Sequence, residues 1–348
     1  MDFTGQGRFT AYKIDRPLTD QEKADRLDRK RKLNTQVRDE LSAIKINSTY
    51  MELVDRWYAP KGWSVIFALM LAGPCLMMVV LFSPTILLEN RAYADPLAWV
   101  AVLIAWGGGW FGLWAAWYGF RLEAFRQTHY PIRLNRKTRK VHAYRPDGSI
   151  LEADWDKLYF CVGESVIPAY GKTYDVRAHV MGKDRKTVVD TFTLAYSYMG
   201  KKESVPAIWE YIRRYMEEPD GVEQNWRYSD ICMPVDGRRE GVWFGIVRTF
   251  SMAAAWPISQ LIFSPVMSVI TVGRWIAMYT SKVPKWPAEI EGQYVIEPDD
   301  PYRRDWRNNV KFNFQEGVWP VICFVVGLSV VIWGLSELIP ALMSAVSD

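Results

Sequence analysis

Two uncharged runs decide how this chain is read: WSVIFALMLAGPCLMMVVLFSPTILL at 63–88 and PLAWVAVLIAWGGGWFGLWAAWYGF at 96–120. They hold 26 and 25 residues without one charged side chain. About 20 apolar residues rising about 1.5 Å each cross a hydrocarbon core of about 30 Å, so either run can span a bilayer as a helix. Only residues 89–95 lie between them, enough to reverse direction and too few to fold. The region 62–120 therefore reads as a transmembrane helical hairpin, and the fold class as an α+β membrane protein.

Charge sets the expected orientation. Residues 1–61 carry 13 Lys or Arg, and residues 121–145 carry eight against the single acid Glu123. Basic segments beside a span resist translocation, which places both ends of the hairpin, and the N-terminus, in the cytoplasm. The mean hydropathy of -0.11 suggests a soluble protein only because charged segments offset the apolar ones. The net charge of +4 is small, and its basic excess beside the hairpin suits anionic lipid headgroups, at about 1 kcal/mol per basic residue, better than nucleic acid.

Cys75, Cys161, Cys232 and Cys323 are scattered with no metal-ligand spacing, so neither a zinc site nor a disulfide framework is expected. The opening MDFTGQGRFT lacks the basic start and apolar core of a secretory signal.

Within the charged N-terminal region 1–61, Thr19 and Glu22 fit a capping box. A helix over 20–45 is expected to follow, with Leu27, Leu33, Val37, Leu41 and Ile44 on one face. In the second apolar run the tryptophans gather on one side and small residues on the other. Gly108, Gly112 and Ala116 have the spacing that lets two helix backbones approach closely. That face should meet the first helix, through Ala68, Ala72 and Gly73, in preference to a second protomer in a homo-oligomer. Pro74 and Pro84 are expected to kink the first helix.

From residue 121 the period turns from helical to alternating. Strands are expected at 131–136, 140–145, 149–155, 157–162, 174–181 and 186–194, with turns at 136–139, 145–148 and 182–185. The meander should end in a helix over 204–218, capped by Ser204, with Pro206 in its first turn. Val205, Ile208, Trp209, Ile212, Tyr215 and Met216 would form its buried face.

This antiparallel meander with its closing helix, occupying 121–220, resembles the bacterial pleckstrin-homology-like membrane proteins. The likeness rests on PIRLNR at 131–136, VHAYRPDG at 141–148, Trp155 and Trp209, and covers about 90 residues. It implies a cytoplasmic PH-like binding domain on a multi-pass protein of the bacterial inner membrane. The whole layout is also similar to an uncharacterised proteobacterial membrane family associated with type VI secretion effector neighbourhoods, which implies an immunity or accessory role.

Residues 221–281 read as a linker and a third apolar stretch, 249–273, diluted by serines and by Pro257 and Pro265. A helix broken at a proline and dipping into one leaflet fits it better than a full span. Residues 282–317 are polar. Residues 318–348 carry a last transmembrane helix, with Trp319 and Trp333 as interfacial anchors.

No nucleophile, metal or dinucleotide motif is present on the framework such chemistry needs, and no cofactor is expected. His129, His142 and His179 read as surface or half-buried side chains. The acids of 297–305 should pair with neighbouring arginines rather than hold a cation. Arg133, Arg136, Lys137, Arg139, Lys140 and Arg145 form the cluster most suited to a lipid or protein partner. The expectation is thus a non-catalytic membrane protein presenting a β-rich domain to anionic lipid or to an unidentified protein. A transporter or channel component, using Gln260 and the serines around it, and a membrane-bound enzyme are the alternatives.

Overall fold

A computed structural model describes residues 12–81, 96–167, 171–253 and 256–347. The strands are β1 (Arg16–Pro17), β2 (Ala43–Ile46), β3 (Tyr50–Leu53), β4 (Ile132–Asn135), β5 (Lys140–Tyr144), β6 (Ile150–Asp154), β7 (Leu158–Ile167), β8 (Gly171–Met181), β9 (Thr187–Met199) and β10 (Arg304–Asp305). The helices are α1 (Asp20–Ala24), α2 (Trp63–Leu81), α3 (Pro96–Phe120), α4 (Val205–Glu217), α5 (Gly221–Tyr228), α6 (Val242–Phe250), α7 (Pro257–Ile262), α8 (Ser264–Thr280), α9 (Ala288–Glu291) and α10 (Trp319–Ser347). The chain divides into two compact units. One comprises residues 1–59, 127–244 and 283–312, and the other residues 60–126, 245–282 and 313–348.

The first unit is antiparallel α+β. A six-stranded sheet runs β10-β2-β3-β4-β5-β6 and a four-stranded sheet β1-β9-β8-β7. β3 and β4 are neighbours, Met51 opposite Leu134, although the apolar hairpin lies between them in sequence. Tight turns set the register. Asn135 accepts from the Thr138 amide at 2.9 Å between β4 and β5, and Gly148, at φ +89°, closes the β5–β6 turn. Alternate residues of the strands face a core around Trp155, Phe160 and Trp209, with ring centroids 4.5–6.1 Å apart. α4 closes this core with Ile208, Trp209, Ile212, Tyr215 and Met216 buried. Ser204 makes no side-chain capping bond there.

The helix expected over 20–45 ends at Ala24. Its capping box forms as read, with the Thr19 hydroxyl accepting from Glu22 and the Glu22 carboxylate accepting from Thr19. Beyond it the chain runs alongside β7, where the Leu27 amide donates to Phe160 at 2.9 Å and the Val162 amide to Asp25 at 2.9 Å. Leu27 and Val37 reach the core from non-helical backbone instead of from one helix face. Residues 43–53 form the β2–β3 hairpin, because Asn47 accepts from the amides of Thr49 and Tyr50 at 2.9 and 2.8 Å and turns the chain.

In the second unit α2 and α3 pack side by side. A Cβ on Gly112 would lie 2.2 Å from Cys75 Sγ and one on Gly109 2.6 Å from Val79, so the backbones meet where side chains are missing. Glu123 is buried and accepts from the Gly62 amide at 2.8 Å, capping the start of α2. α8 and α10 make a similar close approach, where a Cβ on Gly327 would meet the Ser264 carbonyl at 2.2 Å. The apolar stretch 249–273 is broken immediately before Pro257 and again at Phe263 before Pro265, since each proline lacks the amide that would continue the preceding helix. Pro74 lies inside α2, while Pro84 and the turn at 89–95 fall outside the described residues.

Among the described residues, Trp63–Leu81, Trp99–Phe120 and Phe314–Leu338 are helical, long and apolar enough to cross a membrane.

Candidate functional site

The outward face of the six-stranded sheet gathers ionisable groups one residue out of step with the core. Glu52 on β3, Arg133 on β4 and His142 on β5 stand side by side, through the pairs Glu52–Arg133 and Arg133–His142. Arg133 donates to Glu52 at 3.0 Å and to Glu291 of α9 at 3.0 Å. Three rings surround its guanidinium, Trp286 at 4.6 Å, Tyr294 at 5.1 Å and Tyr50 at 5.3 Å. Trp286 donates in turn to Glu52 at 3.1 Å. Burial draws the Arg133 guanidinium down, yet Glu52 and Glu291 outweigh it and hold it above its ordinary value. The segment carrying Trp286, Glu291 and Tyr294 is thereby strapped across the sheet by its own cation–π box.

The other predicted basic residues are also engaged inside this unit. Arg136 donates to the carbonyls of Tyr215 and Glu218, and Arg139 to that of Met216, so both satisfy carbonyls left open at the end of α4. Arg139 pairs with Asp156 at 2.7 Å and Glu217 at 2.6 Å. Lys137 pairs with Glu297 at 2.6 Å, Lys140 with Glu152 and Asp154 at 2.8 Å each, and Arg145 with Asp190 at 2.6 Å. The expected open basic patch is thus an intramolecular brace between the β4–β5 hairpin, α4 and later loops. Sequence could not show this, because most of these acids lie far along the chain.

Gly112 and Ala116 face α2, but Gly108 does not join them: a Cβ there would meet nothing within 4 Å. Gly109 takes its place, because Val102, Gly109 and Ala116 recur every seven residues along one side of α3.

A second ionic cluster was missed from sequence. Arg56, just after β3, pairs with Asp175 on β8 at 2.8 Å, and Arg177 approaches Asp175 at 3.4 Å. Tyr12 lies 4.7 Å over Arg177, while Thr173 and Ser197 accept from Arg56 at 3.2 and 3.4 Å. The alternation Thr173, Asp175, Arg177, His179 on β8 was the available signal. Polar residues at every second place of a strand mark a polar face, here a buried one.

His129, His142 and His179 are all buried, contrary to the surface reading. His179 bonds Thr191 at 2.7 Å, lies 3.2 Å from Glu22 and is 3.5 Å from Cys161 Sγ. This Cys–His contact is no activated nucleophile, because burial pushes the Cys161 thiol up to about 12 and keeps it protonated. Among the described residues no group of three or more His, Cys, Asp or Glu is placed to hold a metal. Asp300 of the acidic stretch accepts from the Ser48 amide and hydroxyl at 2.7 and 2.8 Å. In the second unit Gln260 donates to Phe250 and Ser268 to Phe324, both backbone carbonyls, so these groups close helix ends and helix contacts.

Fold and site together define an α+β protein of two antiparallel sheets that also carries long apolar helices. The chain belongs to a family of unknown function, DUF6708, whose match covers residues 111–298, more than half its length. No curated protein and no solved structure matches it.

Proposed function

We propose that this protein is an integral membrane protein without catalytic activity, whose β-rich unit binds a protein partner. The exposed apolar surface of the helices carries this reading. On α3 alone Leu97, Leu103, Ile104, Trp110, Phe111, Trp114 and Trp117 are each more than half exposed. Full burial of such a side chain is worth about 1.5–3 kcal/mol, so leaving them in water forfeits on the order of 10 kcal/mol. That equals the whole stability of an ordinary domain, about 5–15 kcal/mol. Lipid removes the penalty.

The finer form of the proposal is a PH-like binding domain. Four strands of one sheet (β3 to β6), three of the other (β7 to β9) and a closing helix support it. A protein partner is favoured over anionic lipid because the six predicted basic residues are already engaged within the unit. β6 ends the six-stranded sheet, and no described strand pairs with its outer edge, which suits strand addition by a partner. A location in a bacterial inner membrane with the N-terminus inside, and an immunity or accessory role beside a secreted toxin, are the specific version.

A photo-crosslinker at Glu152 on that edge, in membranes from cells making the full chain, tests the reading. A discrete protein adduct that disappears when Leu151 is replaced by Pro is expected. Adducts with lipid alone contradict it.

A further inference from the structure

Where α3 ends, the chain folds back onto the end of α8. Arg126 Nε donates to the Arg121 carbonyl at 3.0 Å, and the Arg126 carbonyl accepts from the Lys282 amide at 2.8 Å. The Ser281 hydroxyl donates to the Glu123 carbonyl at 3.0 Å, and Val65, Ala124 and Ala277 are buried together. These contacts bring Arg121 and Lys282 to one corner of the second unit.

Both side chains are exposed, and neither makes an ion pair among the described residues. Neither is Arg121 spent on capping α3, because the carbonyls of Gly119, Phe120 and Arg121 are already bonded by the Leu122 and Ala124 amides and by Arg126. Glu123 is the only carboxylate among the described residues of 60–126 and 245–282. It is buried and accepts from the Gly62 and Val65 amides at 2.8 and 3.4 Å. Nothing described in this unit therefore balances the two exposed cations.

An apolar feature adjoins them. Phe125 has φ +60°, a left-handed backbone that bulky residues rarely adopt, and its amide donates to the Thr280 hydroxyl at 3.4 Å. This conformation does not take the ring into a core, for Phe125 is more than half exposed, as are Trp117 and Tyr279. The Phe125 ring lies 6.1 Å from that of Phe120 and 6.5 Å from that of Trp117, and the Arg121 guanidinium lies 5.8 Å over Trp117. Aromatic rings mixed with cations, directly at the end of the apolar helix Trp99–Phe120, are the side chains that suit the border between hydrocarbon and headgroups.

We propose that this corner seats one anionic phospholipid, with its phosphate held by Arg121 and Lys282 and its glycerol and upper acyl carbons against Phe125 and Trp117. The site rests on the membrane location proposed above and adds to it a preferred lipid class. A guanidinium fork and an ammonium both favour phosphate oxygens. A zwitterionic headgroup brings its own cation, which two unbalanced positive charges repel, so net negative charge is selected. The exposed rings give a free phosphate ion nothing to bind, whereas a lipid covers them.

Native mass spectrometry of the full chain released from detergent, titrated with phosphatidylglycerol or phosphatidylcholine, tests this. The first phosphatidylglycerol should bind at least ~tenfold more tightly than the first phosphatidylcholine. R121Q/K282Q, which alters only exposed side chains, should bring the two within ~twofold. F125G keeps the turn, because glycine adopts positive φ freely, and deletes the ring; it should weaken the first phosphatidylglycerol at least ~threefold. Equal binding of the two lipids by the wild type overturns the site and leaves the membrane location standing, as does wild-type preference in R121Q/K282Q or wild-type affinity in F125G. A protein that stays monodisperse without detergent and carries neither lipid contradicts the membrane location itself.

Discussion

Arg56 and Asp175 form an ion pair of 2.8 Å whose side chains are 1 % and 0 % exposed, joining residues 119 apart in sequence. Removing one partner strands the other charge away from water, at a cost of about 3–5 kcal/mol. Asp175→Ala should lower the denaturant midpoint sharply, because Arg56 and Arg177 both lose their counter-charge. The triple variant Arg56→Met, Asp175→Leu and Arg177→Met should recover most of that loss, since it leaves none of the three buried charges of the cluster. Denaturation of the detergent-solubilised protein, followed by tryptophan fluorescence, reads both.

Gly112 and Gly108 make opposite predictions although they lie one turn apart. Gly112→Leu drives a side chain into Cys75 and should destabilise the α2–α3 pair by about 1–3 kcal/mol. Gly108→Ala meets open space and should stay within about 0.5 kcal/mol of wild type. Thermal unfolding in detergent distinguishes them.

Arg139 is expected to matter for stability and not for lipid. Arg139→Gln leaves Asp156 and Glu217 with Arg29 as their remaining cation and the Met216 carbonyl without its charged donor. A loss of about 1–3 kcal/mol should follow. Binding of the full chain to anionic vesicles, compared by co-flotation, should be unchanged.

His142 makes stability fall in mild acid. Burial lowers its pKa beneath the ordinary 6.5, with Lys140 and Arg133 adding to the shift and Glu152 opposing it. Below pH 6.5 the unfolded chain therefore binds a proton that the folded chain refuses. The contribution is complete above that pH and is lost as the pH falls toward the depressed folded value. Denaturant midpoints measured from pH 7.5 down to about pH 5 should decline, and His142→Gln should flatten the slope.

Much of the fold was legible because it rests on short-range signals. The uncharged runs, the alternation from Ile132 to Leu194, the Gly148 turn and the buried face of α4 all depend on residues a few places apart. The β2–β3 hairpin was not legible. Leu27, Leu33, Val37, Leu41 and Ile44 happen to repeat at helical spacing, and only the Asn47 turn, seen with its partner β4, shows that the segment belongs to a sheet. The intramolecular engagement of the candidate site was hidden for a related reason. Arg133 looked available because Glu52, Glu291 and Trp286 lie 81 to 158 residues away, and pairing over such distances leaves no local pattern.

The most direct measurement is alkaline carbonate extraction of membranes from cells expressing the full chain, followed by flotation on a density gradient. The protein should resist extraction, rise with the lipid and leave it only in detergent. Recovery in the carbonate supernatant as a monodisperse species would show that the apolar helices are sheltered without lipid, and the membrane-anchored account would be wrong.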